Sequence, residues 1–183
     1  KEEGVENCIK DLTIHGDEFD MMGLSRTPYN KINIHLGGAY GDKEASMKRF
    51  VKNFPRLPES VRSRLTLEND DKASMYSVKD LYYGIYKKIG IPIVFDYHHH
   101  KFCTGGMSEQ EALEMALSTW GDIKPVTHYS ESRRDEQKDK TIRVQAHSDY
   151  VYDKIEMYGN DFDIMVEAKA KELAVDRYLK IHG

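Results

Sequence analysis

Five short apolar runs, 31–35, 64–68, 91–96, 124–128 and 162–167, each end on a residue able to bind a metal: His35, Glu68, Asp96, His128 and Glu167. Successive end residues stand 33, 28, 32 and 39 positions apart. His, Glu, Asp, His and Glu form a nitrogen-and-oxygen donor set suited to zinc, manganese or iron. Taken singly, each has an ordinary explanation, such as a structural histidine or an acid opening a loop. Five strand ends in succession are not explained that way.

The surroundings sharpen some of these positions. His35 precedes Gly37 and Gly38, which permit a sharp turn and a close approach of backbone to a ligand. In Leu65-Thr66-Leu67-Glu68 the leucines share one face, and Thr66 and Glu68 the other. Inside a barrel that second face points inward, where an unpaired carboxylate is costly and a metal relieves the cost. Asn69, Asp70 and Asp71 behind Glu68 read as solvated loop. Asp96 is followed by Tyr97 and then His98, His99 and His100, which cannot all be core. An acid at a strand tip with a histidine two or three positions on suits one or two metals, but parity does not choose among the three. His147 and Asp149 read as a loop-to-helix junction, which adds His147 to the candidates. Glu167 reads alternatively as a first-turn helix acid favoured by the helix dipole. One catalytic metal takes three or four protein ligands, so a larger set implies two or three ions sharing carboxylates. Paired ions suit in-line attack on a phosphodiester, where one activates water and another stabilises the leaving oxygen.

The same loops carry groups suited to a polyanion. Lys43, Arg133, Arg134, Lys138, Lys140 and Arg143 would meet phosphates. Tyr40 and Tyr129 would meet a base or a sugar. The stretch 131–143 holds five basic and four acidic residues, so it also reads as a salt-bridged surface.

Helical periodicity fills the gaps. Val5, Ile9, Leu12, Gly16 and Phe19 mark a helix before the first run. Met47, Phe50, Val51 and Phe54 mark another, as do Val78, Leu81, Tyr82, Ile85 and Ile89, and then Leu113, Ala116, Leu117 and Trp120. Ser77 with Asp80, and Ser108 with Glu111, have capping-box spacing. Ala170, Leu173, Ala174 and Tyr178 place a last helix directly after Glu167. One polar ligand at the C-terminal end of each parallel strand is how a (β/α) barrel builds its site. The fold class is therefore α/β, of the (β/α)8 TIM-barrel type. A closed barrel needs eight strands and about 250 residues, so residues 1–183 read as one domain supplying about five βα units, the C-terminal portion of a metal-dependent barrel. An open α/β sheet is the alternative.

Composition narrows the classes. Charged residues make up 32% and apolar residues 39% of 183 residues, with no run of 18 apolar residues and so no expected membrane span. The net charge of −4 excludes a globally basic nucleic-acid binder, so DNA would require a local basic face. Cys8 and Cys103 lie 95 positions apart without a CxxC pattern, which reads as two reduced, structural cysteines in an intracellular protein.

Taken together, Asn33-Ile34-His35-Leu36-Gly37-Gly38-Ala39-Tyr40-Gly41-Asp42-Lys43, Arg64 to Asp70, Val94 to His100, His128-Tyr129-Ser130, His147 to Tyr150 and Val166 to Lys169 resemble the UV damage endonucleases over nearly the whole chain. The resemblance implies a metal-dependent DNA repair enzyme on a xylose-isomerase-like barrel. It would nick damaged double-stranded DNA 5′ to cyclobutane dimers and 6-4 photoproducts by metal-activated attack of water. It implies up to three divalent ions, typically manganese, held by His35, Glu68, Asp96, His99, His128, His147 and Glu167, with Glu68 and Glu167 bridging as catalytic carboxylates. Two departures stand out. The family's opening strands, with a further histidine ligand and the residues that probe the lesion, have no counterpart here. Family members often carry a carboxylatable lysine two residues before the histidine matching His128; here that residue is Val126. Rival readings are an apurinic-site endonuclease, a sugar or sugar-phosphate isomerase or epimerase, and an incomplete metal-binding barrel whose open edge invites self-association.

Overall fold

A computed structural model describes residues 2–183. A long helix, α1 (Glu2–Met21), comes first, and five strands follow: β1 (Ile32–Ile34), β2 (Leu65–Glu68), β3 (Ile93–Asp96), β4 (Val126–Tyr129) and β5 (Asp163–Val166). Between them lie α2 (Lys43–Asn53) and α3 (Glu59–Arg62), then α4 (Val78–Leu81), a π turn (Tyr82–Tyr86) and α5 (Lys87–Ile89), then α6 (Tyr97–His100) and α7 (Glu109–Leu117), and then α8 (Arg133–Gln137). The last helix is α9 (Glu172–His182).

All strand pairs are parallel, and the sheet order equals the chain order, β1-β2-β3-β4-β5. Winding always in one direction builds a barrel wall; an open doubly wound sheet reverses its order at a switch point. The five strands make a half-barrel. Among the described residues, β1 and β5 each have a strand partner on one side only.

Strand alternation separates core from site. Leu65, Leu67, Ile93 and Phe95 pack with Val61, Leu81, Ile85 and Leu113 in the main core. On the other face Val94 and Val126 pack with Trp120, whose Nε1 donates to the Ile93 carbonyl at 2.8 Å. Higher on that face stand Glu68, Asp96 and His128. Register staggers them: Glu68 lies level with Val94, whereas Asp96 lies level with His128.

Local signals hold at the helix starts. Both capping boxes form, Ser77 with Asp80 and Ser108 with Glu111. Gly16 is buried where α1 crosses α3, and a Cβ there would sit 2.7 Å from Ser60 Oγ. Buried Arg64 ties the start of β2 to α1, donating to the Ser60 and Gly16 carbonyls and pairing with Asp20 at 2.8 Å.

Three expectations are corrected. The last helix begins at Glu172, not directly after Glu167; a turn over residues 168–171, with Lys171 at φ +50°, intervenes. No helix starts at Ser148 or Asp149; residues 148–162 run irregularly to β5. The fourth crossover therefore lacks a full helical unit and holds only the short α8. Cys103 is buried but Cys8 lies exposed on α1. Among the described residues, no helix is long and apolar enough to cross a membrane.

Candidate metal centre

The site is built around Glu68, the last residue of β2, which is buried. Asn33 on neighbouring β1 donates to Glu68 Oε2 at 2.6 Å, and Thr66 donates in turn to Asn33 Oδ1 at 2.9 Å. The carboxylate is thus oriented before any ligand arrives. Its Oε1 lies 3.2 Å from His99 Nδ1 and 3.8 Å from His35 Nε2. Its Oε2 lies 3.2 Å from His128 Nδ1. The two oxygens therefore face two different sets of partners.

The other side chains reach this centre from successive strand tips. Asp96 ends β3 and caps α6, accepting from the His99 backbone N–H at 2.8 Å, while its other oxygen lies 3.8 Å from His99 Nδ1. Because α6 begins at once, it sorts the three histidines. His98 and His100 turn into the protein, 1% and 4% exposed, and His99 turns to the site. His99 Nδ1 also meets the Asn69 carbonyl at 2.9 Å, so backbone and carboxylates together fix the ring. His128 Nδ1 also lies 3.2 Å from Glu167 Oε1, and Glu167 Oε2 lies 3.7 Å from His147 Nδ1.

His147 is positioned without a helix. It bridges Ser132 in antiparallel fashion beside the start of α8. The segment after it is held by Glu136, which accepts from the Asp149 and Tyr150 backbone at 2.7 and 3.1 Å, and by the Lys169 N–H to the Ser148 carbonyl at 2.9 Å.

All seven expected ligands lie along this one chain of contacts. One donor atom each from His35, Glu68 and His99 lie within 4.8 Å of one another, and so do one each from Glu68, Asp96 and His128. Glu68 belongs to both trios. Glu167 and His147 join at the edge as a pair, through His128. Asp96 Oδ2 and His128 Nδ1 are buried without a hydrogen-bond partner among the described residues. Buried polar atoms without an aligned hydrogen bond are costly, and mixed imidazole and carboxylate ligands suit a divalent transition metal. The residues fit such ions. Val126, on the face of His128, is buried against Val94 and Trp120 and offers no donor atom.

Electrostatics show how strongly the groups are coupled. Burial pushes the Asp96 carboxyl up to about 7, helped by the Glu68 charge. Burial pulls His128 down, but the Glu167 and Glu68 carboxylates outweigh it and hold the ring up to about 10. His99 is likewise held up to about 9, against its burial, by Glu68 and Asp96. Burial raises Glu68, but His128 and His99 overcome it and keep the carboxyl well below its usual range. The raised imidazole pKa values mark a place where the carboxylates favour positive charge.

Several residues sit differently from the sequence reading. Asn69 and Asp70 are buried, not solvated. Asn69 locks β2 to β3, donating to the Asp96 carbonyl at 3.0 Å and accepting from its N–H at 2.8 Å. Asp70 Oδ1 faces His35 Nδ1 at 3.4 Å. Tyr129, expected on the rim, is buried in β4 against Tyr97, so its ring is not offered to DNA. Alternation carries the signal: with His128 facing the site, Tyr129 must face the helices. Tyr40 does stand on the rim, 88% exposed at φ +51° between Gly38 and Gly41. Lys43 is engaged by Asp80 at 3.0 Å. Arg133 and Arg134 open α8, where the Arg133 N–H donates to the Ala146 carbonyl beside His147.

Comparison with known proteins follows the same lines. The sequence profile of the family described as UV-endonuclease UvdE matches residues 1–182. The chain is 37% identical over 179 residues to the UV DNA damage endonuclease of Bacillus mycoides (strain KBAB4), covering 92% of this chain and 53% of that protein. It is 38% identical over 189 residues to the UV DNA damage endonuclease of Bacillus pumilus (strain SAFR-032), covering 96% and 55%. Among solved structures, the crystal structure of SacUVDE superimposes with a TM-score of 0.81 at 33% identity, over 99% of this chain and 61% of that one. The chain spans about half the length of the curated relatives it matches.

Proposed function

The chain belongs to the UV-endonuclease UvdE family, and from that premise we propose that its strand-end cluster is the metal centre of a DNA repair endonuclease that nicks 5′ to UV photoproducts. The observation that carries this reading is the pair of donor trios sharing Glu68. The oxygens of one carboxylate facing different partners are what a bridge between two ions requires. Manganese or a similar divalent ion would supply the Lewis acidity that activates water and offsets charge on the phosphodiester.

The protein's own part is positioning. Asn33 and Thr66 fix the angle of Glu68. Asp96, pinned by the Asn69 brace and the start of α6, holds one side of the site, and His128 the other. Glu167 reaches His128 and His147 together, so it suits a second bridge at the outer edge. The exposed Tyr40, on the loop after β1, and Arg133 and Arg134, which open α8 after β4, follow the same strand ends, where they would meet damaged duplex DNA. The free edges of β1 and β5 suit pairing with further strands, of the same barrel or of a second copy.

The test is nicking of supercoiled plasmid with manganese, comparing UV-irradiated, untreated and abasic DNA, using this chain and a full-length relative grafted with it. Nicking confined to irradiated plasmid supports the reading. Nicking of abasic plasmid alone moves the chain to apurinic-site chemistry. No nicking by the graft, with the relative itself active, contradicts the reading. A solution mass above 21.2 kDa would show that copies associate.

A further inference from the structure

Buried Asp70 stands two residues after Glu68, just past the end of β2, and both its backbone and its side chain are tied down. Its N–H donates to the Tyr76 carbonyl at 2.9 Å, and its Oδ2 accepts from the Tyr76 N–H at 3.2 Å. Those two bonds close the loop from Asp70 to Tyr76 and leave the carboxylate no freedom to turn. Oδ1 then points at His35, 3.4 Å from Nδ1. His35 needs such a guide. It follows the short strand β1, leads into Gly37 at φ +94°, and its side chain is 43% exposed, so packing does little to fix its ring.

We infer that Asp70 is the positioning carboxylate of His35: it holds the proton on Nδ1 and thereby turns the Nε2 lone pair toward Glu68 and His99. This rests on the metal reading above and deepens it. A neutral imidazole has one N–H, and the hydrogen bond made by one nitrogen decides what the other can do. Both ring nitrogens face a carboxylate, and Asp70 is the nearer of the two. Nδ1 faces Asp70, and Nε2 faces Glu68 Oε1 at 3.8 Å, within the trio of His35, Glu68 and His99. His99 is held differently, its Nδ1 meeting both the Asn69 carbonyl and the Glu68 carboxylate. Two adjacent residues after β2 therefore set two imidazoles, one by backbone and one by side chain. A carboxylate behind a ligating histidine fixes its ring and raises its basicity, and its loss costs ~10–100-fold in metal affinity.

The informative substitution is Asp70→Asn. The Tyr76 N–H demands an oxygen, so the amide must turn its NH2 toward His35. Nδ1 then has to accept, the proton moves to Nε2, and the metal-facing atom loses its lone pair. Histidine 15N spectra of the metal-free chain at about pH 8, where a free imidazole is neutral, read this directly. The expected result is His35 protonated on Nδ1 in the parent and on Nε2 in D70N. The manganese affinity of D70N should fall ~10–100-fold, with the thermal midpoint close to the parent's because the Tyr76 bonds survive. D70A, which loses those bonds too, should also melt lower. A parent His35 protonated on Nε2 overturns the inference even if neither variant folds. So does a D70N protein with unchanged tautomer and unchanged manganese affinity. A parent that binds no manganese sinks the metal reading instead, while the tautomer still decides the role of Asp70.

Discussion

Glu68 and His128 face each other from strands separated by β3, with Glu68 Oε2 3.2 Å from His128 Nδ1 and the ring equally close to Glu167. A buried imidazole between two carboxylates is either a doubly paired cation or a metal ligand awaiting its ion. On the proposed reading a metal ion displaces the ring proton, and the following outcomes depend on that exchange.

Glu68→Gln keeps the volume and the Asn33 contact on one side but removes the charge that serves both trios. Nicking by the grafted full-length relative should fall more than about 100-fold, since each ion loses a ligand. Circular dichroism should stay native. Wild-type activity with full metal content would remove Glu68 from the bridging position.

Metal binding should be coupled to proton release. With His99 held up to about 9 and His128 up to about 10, both rings carry protons at pH 7, and each must lose one to ligate. Manganese affinity should rise with pH toward that window. Calorimetry in buffers of different ionisation heat should count about two protons from the two rings together at neutral pH, and about half of one more from Asp96. The sign for the metal-free fold is the opposite. These raised pKa values stabilise it below about 6.5, the free imidazole value, and the contribution fades as pH climbs through 9 and 10. A pH-independent affinity contradicts the pairing.

His98 should make the fold acid-sensitive. It is buried edge-on to Phe102 and His147, without an aligned partner for either nitrogen among the described residues. Burial holds its pKa down to about 4. The unfolded chain takes up the proton near 6.5 and the folded chain does not, so stability declines between about 6.5 and 4 by on the order of 3 kcal/mol. His98→Phe should flatten that part of the melting profile without loss at pH 7. An unchanged acid limb would show that the ring is charged or hydrogen-bonded in the fold.

Convergence of the candidate ligands is legible in the sequence because strand period and strand ends are local. A polar residue closing an apolar run declares both its face and its height. The helix starts are legible for the same reason, through Ser77 with Asp80 and Ser108 with Glu111. Asn69 and Asp70 are not, because their burial comes from the tip of β3 and from Tyr76, contacts no local pattern announces. The choice of His99 over His98 and His100 depends on α6 starting at Asp96 without a loop. The crossover from β4 to β5 misleads because its spacing resembles a βα unit, while carboxylates of Glu131 and Glu136 hold an irregular backbone in place of a helix.

Gly16 tests the outer layer. Alanine would gain about 1 kcal/mol of helix propensity, yet its Cβ would stand 2.7 Å from Ser60 Oγ and 2.9 Å from a Val61 methyl. Overpacking of that kind costs about 1–3 kcal/mol, so Gly16→Ala should lower stability by about 1 kcal/mol in denaturant titration. A stabilised variant would mean that α1 is free to move off α3.

The central claim is that one carboxylate, Glu68, joins two metal positions at the strand ends. Electron paramagnetic resonance of the chain titrated with manganese tests it most directly. The account predicts an exchange-coupled pair that appears as the second equivalent binds and is absent in Glu68→Gln. Two magnetically independent ions, or saturation at one, would contradict it.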